Sequence, residues 1–343
     1  MEIQSQGLVK VGIKVKMKKI LSLIILSCML LFAGCTGGSG NGPKANGFGL
    51  DSAFNGGNSA LSIEFSEGQP PKKIRDGGLQ PFTIRAMVKN KGEYDIPKGS
   101  THVVVSGVNP VDFGINDASQ DLGDLRGVKK QGSNVIDGTI QPVIFSNLKY
   151  RPELPSGSLE QKISLDICYP YKTKALVSMC VSGNTLQSVD DTLKVCEIES
   201  DRPYANSGGP VIIENVKQTP GGSNSVMIQF DIVHKKDSSS SGRIYKLGSL
   251  DTNCKVRGKS VTSTDSKIDE NYIKFTVDTG INGIDCGTGG NQGEVLLSED
   301  KTTVMCTQPT AGEEDYERPI SITLDYDYFD RTDTTVEIEH ISQ

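Results

Sequence analysis

Ile163–Tyr171 reads ISLDICYPY, and Ile320–Tyr328 reads ISITLDYDY. Both fit I-S-[LI]-x-[IL]-x-Y-x-Y, 157 positions apart (320 − 163). In the first, Ile163, Leu165, Ile167, Tyr169 and Tyr171 fall on alternate positions. In the second, the same slots hold Ile320, Ile322, Leu324, Tyr326 and Tyr328. Period two marks a strand with one face buried. The repetition predicts that the chain writes one β-domain twice, with these stretches as the same strand in each copy. The tyrosines follow apolar residues on that face, so burial is expected, with each hydroxyl finding a partner.

The flanking sequence carries the same rhythm. Leu61, Ile63 and Phe65 alternate with polar residues, as do Phe82, Ile84, Ala86 and Val88 in PFTIRAMVKNKGEYD. Asn90–Gly92 supplies a turn. HVVV (His102–Val105) and Val143–Phe145 are further strand candidates. Val226, Ile228, Phe230 and Ile232 in SVMIQFDIVHKKD match Phe82 to Val88 at an offset of 144 (226 − 82), which requires loops of different length. No long 3.6-residue apolar period occurs after Phe32. With 38 glycines and no tryptophan, the chain reads as all-β: two sandwiches in series, residues 60–200 and 208–343. The boundary falls in ESDRPYANSGGP (Glu199–Pro210), and PVIIENVKQTP opens the second copy.

The N-terminus reads as an address. Lys14, Lys16, Lys18 and Lys19 precede ILSLIILSCMLLF (Ile20–Phe32), an uncharged run too short for an ordinary spanning helix, which needs about 20 residues. Ala33, Gly34 and Cys35 follow. LFAGC resembles the lipobox of prokaryotic lipoproteins, although the usual Leu three places before the cysteine is Phe32 here. That resemblance implies a signal peptide over residues 1–34, with Met17 an alternative start, and a lipid on Cys35. The processed chain would lose five lysines (10, 14, 16, 18, 19) and Glu2, leaving 31 basic residues (36 − 5) against 41 acidic (42 − 1). Residues 35–59, rich in Gly and small polar residues, read as a flexible tether.

PFTIRAMVKNKGEYD looks like the early strands of immunoglobulin-like or cell-adhesion-related sandwiches of prokaryotic surface proteins. The Y-x-Y strand, a turn and TTVEIEH look like their C-terminal hairpin. The layout is similar to tandem-sandwich lipoproteins of archaea or bacteria, and the resemblance covers about residues 60–343. It implies two immunoglobulin-like domains and brings no catalytic residues with it.

Six cysteines remain after Cys28 and Cys35: Cys168, Cys180, Cys196, Cys254, Cys286 and Cys306. An exported chain with an even number suggests disulfides. Cys168–Cys180 and Cys286–Cys306 would close hairpins, leaving Cys196–Cys254 to cross the domain junction. Metal binding has little support, because no C-x-x-C occurs and no histidine stands near a cysteine. Asp325, Asp327, Asp330 and Asp333 in LDYDYFDRTD are the best oxygen cluster for a metal, which would be calcium. The first two would share a strand face and the last two a turn. The leading reading is a solvated hairpin whose acidic residues discourage edge pairing, with no metal assigned. SEDK (Ser298–Lys301) matches S-x-x-K and reads as a polar hairpin tip. His102, His234 and His340 stand apart, each expected as a partly exposed strand residue.

Net charge is −6, which argues against a nucleic-acid surface. No cofactor motif is legible. The expected function is a lipid-anchored module on the extracytoplasmic face, cell surface or periplasm. It would be non-catalytic and serve binding, adhesion or envelope structure. Its partners would be the membrane, through the lipid, and an envelope protein or glycan. The alternatives are an accessory subunit of an envelope secretion or transport complex, and a carbohydrate-active or hydrolytic surface enzyme.

Overall fold

Alternating apolar residues build strands throughout this chain. The computed structural model describes residues 50–185, 195–236, 242–258 and 269–341. Cys35, the signal segment and the Gly-rich stretch as far as residue 49 lie outside them.

Eighteen strands occur among the described residues. The first nine are β1 (Leu61–Phe65), β2 (Lys73–Arg75), β3 (Phe82–Asn90), β4 (His102–Ser106), β5 (Ser119–Asp121), β6 (Lys129–Gln131), β7 (Asn134–Ile136), β8 (Ile140–Leu148) and β9 (Ser158–Val181). Two short strands, β10 (Ser200–Asp201) and β11 (Tyr204–Asn206), lead into the second half of the chain. That half holds β12 (Val211–Gly222), β13 (Ser225–His234), β14 (Arg243–Tyr245), β15 (Tyr272–Asp278), β16 (Gln292–Leu296), β17 (Lys301–Pro309) and β18 (Tyr316–Glu339). Two single-turn helices are α1 (Leu50–Ala53) and α2 (Pro110–Phe113).

The strands form a three-stranded sheet (β1-β3-β8), a four-stranded sheet (β10-β12-β13-β17) and a nine-stranded sheet. The last runs β16-β15-β18-β9-β4-β5, with β11 beside β9 and with β2 and β14 beside β18. The small sheets pack against the large one. Phe230 of β13 meets Phe275 of β15 at 6.5 Å between ring centroids, and the Leu61 amide of β1 donates to the Tyr169 hydroxyl of β9 at 3.2 Å. The protein is therefore an all-β sandwich.

The two halves are built alike. Ile63 pairs with Val88 and Ala86 with Val143 in the first. In the second, Ile213 pairs with Ile232 and Phe230 with Val304. Val103 of β4 faces Ile167, and Phe275 of β15 faces Leu324. Ile167 and Leu324 are equivalent slots of the two repeated stretches, so the sequence repeat is also a spatial one.

The repeated stretches do not end in hairpins. β9 and β18 are each 24 residues long and pair antiparallel from Ser158↔Glu339 to Val181↔Tyr316. Tyr169 lies opposite Tyr328, Tyr171 opposite Tyr326, and Pro170 opposite Asp327 between them. A local two-fold relation thus passes through Pro170 and Asp327. The turn expected between Tyr328 and TTVEIEH is absent. KTKALV after Tyr171 and FDRTDTT after Tyr328 contain no Gly, Asn or Pro to reverse the chain, and their β-branched residues favour extension. Asp330–Glu339 therefore lies beside the first part of β9, which pairs with β4 on its other edge. Thr173–Val181 lies beside the first part of β18, which pairs with β15. Segments 60–200 and 208–343 thus exchange their long strands, and the described residues belong to one compact unit. A bidentate pair from Arg331 to Asp166, at 2.5 and 2.9 Å, ties one exchanged strand in place.

This geometry corrects two of the expected disulfides. Cys168 and Cys180 lie in one extended strand, so about 40 Å separates them at ~3.3 Å per residue. The bridges are Cys168–Cys254, Cys180–Cys196 and Cys286–Cys306; the last is as expected. Cys168–Cys254 is the link between the two halves, in place of Cys196–Cys254.

Candidate functional site

The two-fold axis gathers aromatic side chains on the inner face. Tyr169 and Tyr328 rings stand 5.9 Å apart and those of Tyr171 and Tyr326 6.0 Å apart. All four residues are buried. Their hydroxyls have partners, as expected. Tyr169 accepts from Leu61 N, and Tyr171 donates to Gly208 O at 2.6 Å. Tyr326 shares a hydrogen bond with Thr173 Oγ1 at 3.1 Å, and Tyr328 with His234 Nε2 at 3.2 Å. Burial raises the pKa of Tyr169, Tyr171 and Tyr326, so they stay neutral. A Cβ on Gly92 would overlap the Tyr171 hydroxyl, so glycine lets that loop close over the ring.

His234 departs from expectation. It is buried, with Nδ1 3.4 Å from Asp300. Burial lowers its pKa, with Asp300 opposing. His102 is half-buried, with Nδ1 2.6 Å from Asp121. His340 lies just beyond β18, with Nδ1 2.8 Å from Asp76. Each histidine has an aspartate beside it, and no two of them converge.

The outer face at the axis carries a second apolar cluster, including Cys168, Phe329, Val104, Leu250, Cys254 and Val256. Cys168 points away from the main core, as its parity in ISLDICYPY requires. The segment after β14 lies over it and is anchored by Asp327. That carboxylate accepts from Leu250 N at 3.0 Å and is also bonded by the Gly248 and Ser249 amides. Burial raises its pKa and these amides oppose the rise. A shallow cleft of about 270 Å³ adjoins it, with His102 and Arg257 in its wall.

The calcium candidates do not come together. Asp325 pairs with Lys172 at 3.1 Å, Asp333 with Lys162 at 2.6 Å, and Asp327 is the buried anchor just described. Asp330 has the opposite strand parity to the other three. Asp325 and Asp333 are eight residues apart on a straight strand, roughly 26 Å. The expected turn would have gathered them; the continuous strand separates them. Among the described residues no three His, Cys, Asp or Glu side chains form a metal-holding group. SEDK is a hairpin tip, as expected: Ser298 and Lys301 exchange backbone hydrogen bonds and Glu299 and Asp300 have positive φ.

A basic cleft of about 510 Å³ was not anticipated from sequence. Its walls include Lys129, Lys130, Lys172 and Lys174, together with Asp95, Glu93 and Phe54. Lys129 pairs with Asp95 at 2.9 Å and Lys172 with Asp325. Lys130 Nζ donates to Phe54 O at 3.0 Å. Lys174 is exposed and meets no carboxylate among the described residues. The one glutamate in the wall, Glu93, is taken up by the amides of Asn55, Gly56 and Gly208. Such a cleft can hold an anion. The lysines escape sequence reading because they come from two segments 42 residues apart (172 − 130).

No family model matches this chain, and no curated protein matches it. Among solved structures, the secreted serine protease VesC from Vibrio cholerae aligns over 78 % of this chain and 50 % of its own, at 14 % identity and a TM-score of 0.17. This chain therefore spans half the length of that protease. A partial N-terminal region of an enterococcal surface protein aligns over 84 % of this chain and 87 % of its own, at 10 % identity and a TM-score of 0.14. Scores this low carry no argument about chemistry.

Proposed function

We propose that this protein is a lipid-anchored, extracytoplasmic, non-catalytic module serving binding or envelope structure. The observation that carries this is the cysteine chemistry. All six described cysteines are paired, which suits an oxidising compartment. The cysteine left over for lipid, Cys35, follows a basic and then an apolar segment. A sandwich whose halves exchange strands and share a disulfide is a rigid body, fit to hold a surface at a membrane. We further read each half as immunoglobulin-like, with its last strand donated by the other half. The order β1-β3-β8 against β5-β4-β9, completed by the end of β18, supports that reading.

The test is the intact mass of protein extracted from its own membranes, with and without reduction and alkylation. A chain starting at Cys35, carrying lipid mass and revealing six thiols only on reduction, is expected. Cys35→Ser should release the protein from the membrane or leave it unprocessed. A Cys35→Ser chain cut to the same mature start yet retained at the membrane as fully as wild type would overturn the anchor.

A further inference from the structure

Three features meet on one side of the molecule. The first is the lysine-walled cleft. Lys129, Lys130, Lys172 and Lys174 line it against two carboxylates, Glu93 and Asp95, and no arginine does. Ammonium groups bind phosphate as point charges with no fixed approach, which suits headgroups met in many orientations; a guanidinium fork would add planar, bidentate geometry toward phosphate or carboxylate. This local excess of positive charge stands on a chain of net charge −6, so it is not a consequence of overall composition.

The second feature is the hairpin that carries two of those lysines. β6 and β7 pair only with each other. Val135 and Ile136 lie opposite Lys130 and Lys129 and are 52 % and 49 % exposed. By strand alternation Val135 shares one face of the ribbon with Lys130 and Ile136 shares the other with Lys129, so each face of the tip sets a large exposed apolar side chain beside a lysine. Such a tip suits a bilayer interface, where apolar groups enter the headgroup boundary and lysines meet phosphate.

The third feature is position. α1 begins the described chain, and its last residue, Ala53, and the next, Phe54, line the cleft. Fifteen residues separate Leu50 from Cys35 (50 − 35), a reach of at most about 50 Å. A lipid on Cys35 therefore keeps the cleft within that distance of the bilayer.

We propose that the lysine cleft and the β6–β7 hairpin form a docking face for the phosphates of anionic lipid headgroups, with Val135 and Ile136 entering the interface. The third argument rests on the lipoprotein reading; the first two do not. On this proposal the lipid tethers the protein and the cleft orients it, so the opposite end of the sandwich faces outward.

The experiment uses the full chain as extracted from its membranes, reconstituted into nanodiscs. One set is phosphatidylcholine alone, the other phosphatidylcholine mixed with phosphatidylglycerol. Acetylation of each lysine is followed by mass spectrometry. Lys129, Lys130, Lys172 and Lys174 should react about fivefold or more slowly in the phosphatidylglycerol discs. Lys73 is the control. It pairs with Glu337 and Glu339, far along β18 from the Asp325 that holds Lys172, and its rate should not change. Val135→Asp with Ile136→Asp should reduce the protection, as should Lys174→Glu read at the remaining lysines.

A third arm adds soluble tripolyphosphate to phosphatidylcholine discs. Protection by phosphatidylglycerol, whether or not tripolyphosphate also protects, supports the proposal. Protection by tripolyphosphate alone would overturn the lipid as ligand, and equal rates in every arm would overturn the site. The anchor is scored separately by intact mass. A chain without lipid whose lysines are still protected by phosphatidylglycerol vesicles would refute the lipoprotein reading and leave this face standing.

Discussion

The Tyr171 hydroxyl donates to Gly208 O in a buried site, so Tyr171→Phe removes the shorter of that carbonyl's two hydrogen bonds and leaves it the Glu93 amide at 3.3 Å. That change should cost about 0.5–1.5 kcal/mol in urea unfolding; a loss within error of zero would mean the bond contributes nothing. Burial of all four tyrosines was legible, because each sits on the apolar parity of its strand. His234 was equally legible and misread. Val226, Ile228, Phe230 and Ile232 put alternate residues inward, and His234 is the next in that row. Its lowered pKa has a consequence. An unfolded histidine titrates near ~6.5, so below that pH the unfolded chain binds the proton more readily. Stability held at neutral pH is therefore lost as pH falls through about 6.5 toward the folded value. Tm should drop between about pH 7.5 and pH 5.5, and His234→Gln should shrink that drop. The raised Asp327 pKa works in the opposite sense nearer pH ~4, and is common to both proteins. An unchanged drop in His234→Gln would refute the assignment.

At the scale of the strand, the sequence displayed the repeat and hid the partner. Alternation reports which face is buried, but it says nothing of which edge a strand pairs with. The missing turn was readable in part: KTKALV offers no turn residue, and FDRTDTT offers only Asp330 and Asp333, with none of the Gly, Asn or Pro that usually complete a tight hairpin. Exchange makes the C-terminus a structural element of the N-terminal half. Val336 and Ile338 are buried there, and burial of each contributes about 1.5–3 kcal/mol. Truncation after Phe329 removes both, together with the Arg331–Asp166 pair, and bares one edge of β9. Hydrogen exchange at the amides of Ile163, Leu165 and Ile167 should then speed up about tenfold or more, although these residues lie over 150 positions from the cut (330 − 167 = 163). Unchanged protection there would mean the first half holds its fold without the donated strand.

For the whole molecule, the totals and the alternation were enough to read an all-β chain, while its connectivity depended on contacts far apart in sequence. The disulfides illustrate the limit: six cysteines allow fifteen pairings, and the choice among them followed from whether one strand turned or ran straight. Cys168–Cys254 closes the longest of the three loops, with a separation of 86 residues against 16 and 20. Chain-entropy arguments give it about 4.6 kcal/mol, against about 3.1–3.3 for the others, so Cys168→Ser with Cys254→Ser should lower stability most. Two linked strand exchanges make a stronger statement about the halves. A protease site introduced after the exposed Glu199 divides the chain between them. Independent sandwiches would part once Cys168–Cys254 is reduced. Here each fragment keeps one long strand inside the other's sheet, paired over all 24 positions of β9. The cleaved and reduced protein should therefore elute from size exclusion as one species of the original size and melt in a single transition. Two separately eluting, folded fragments would show that the long-strand pairing does not hold the molecule together.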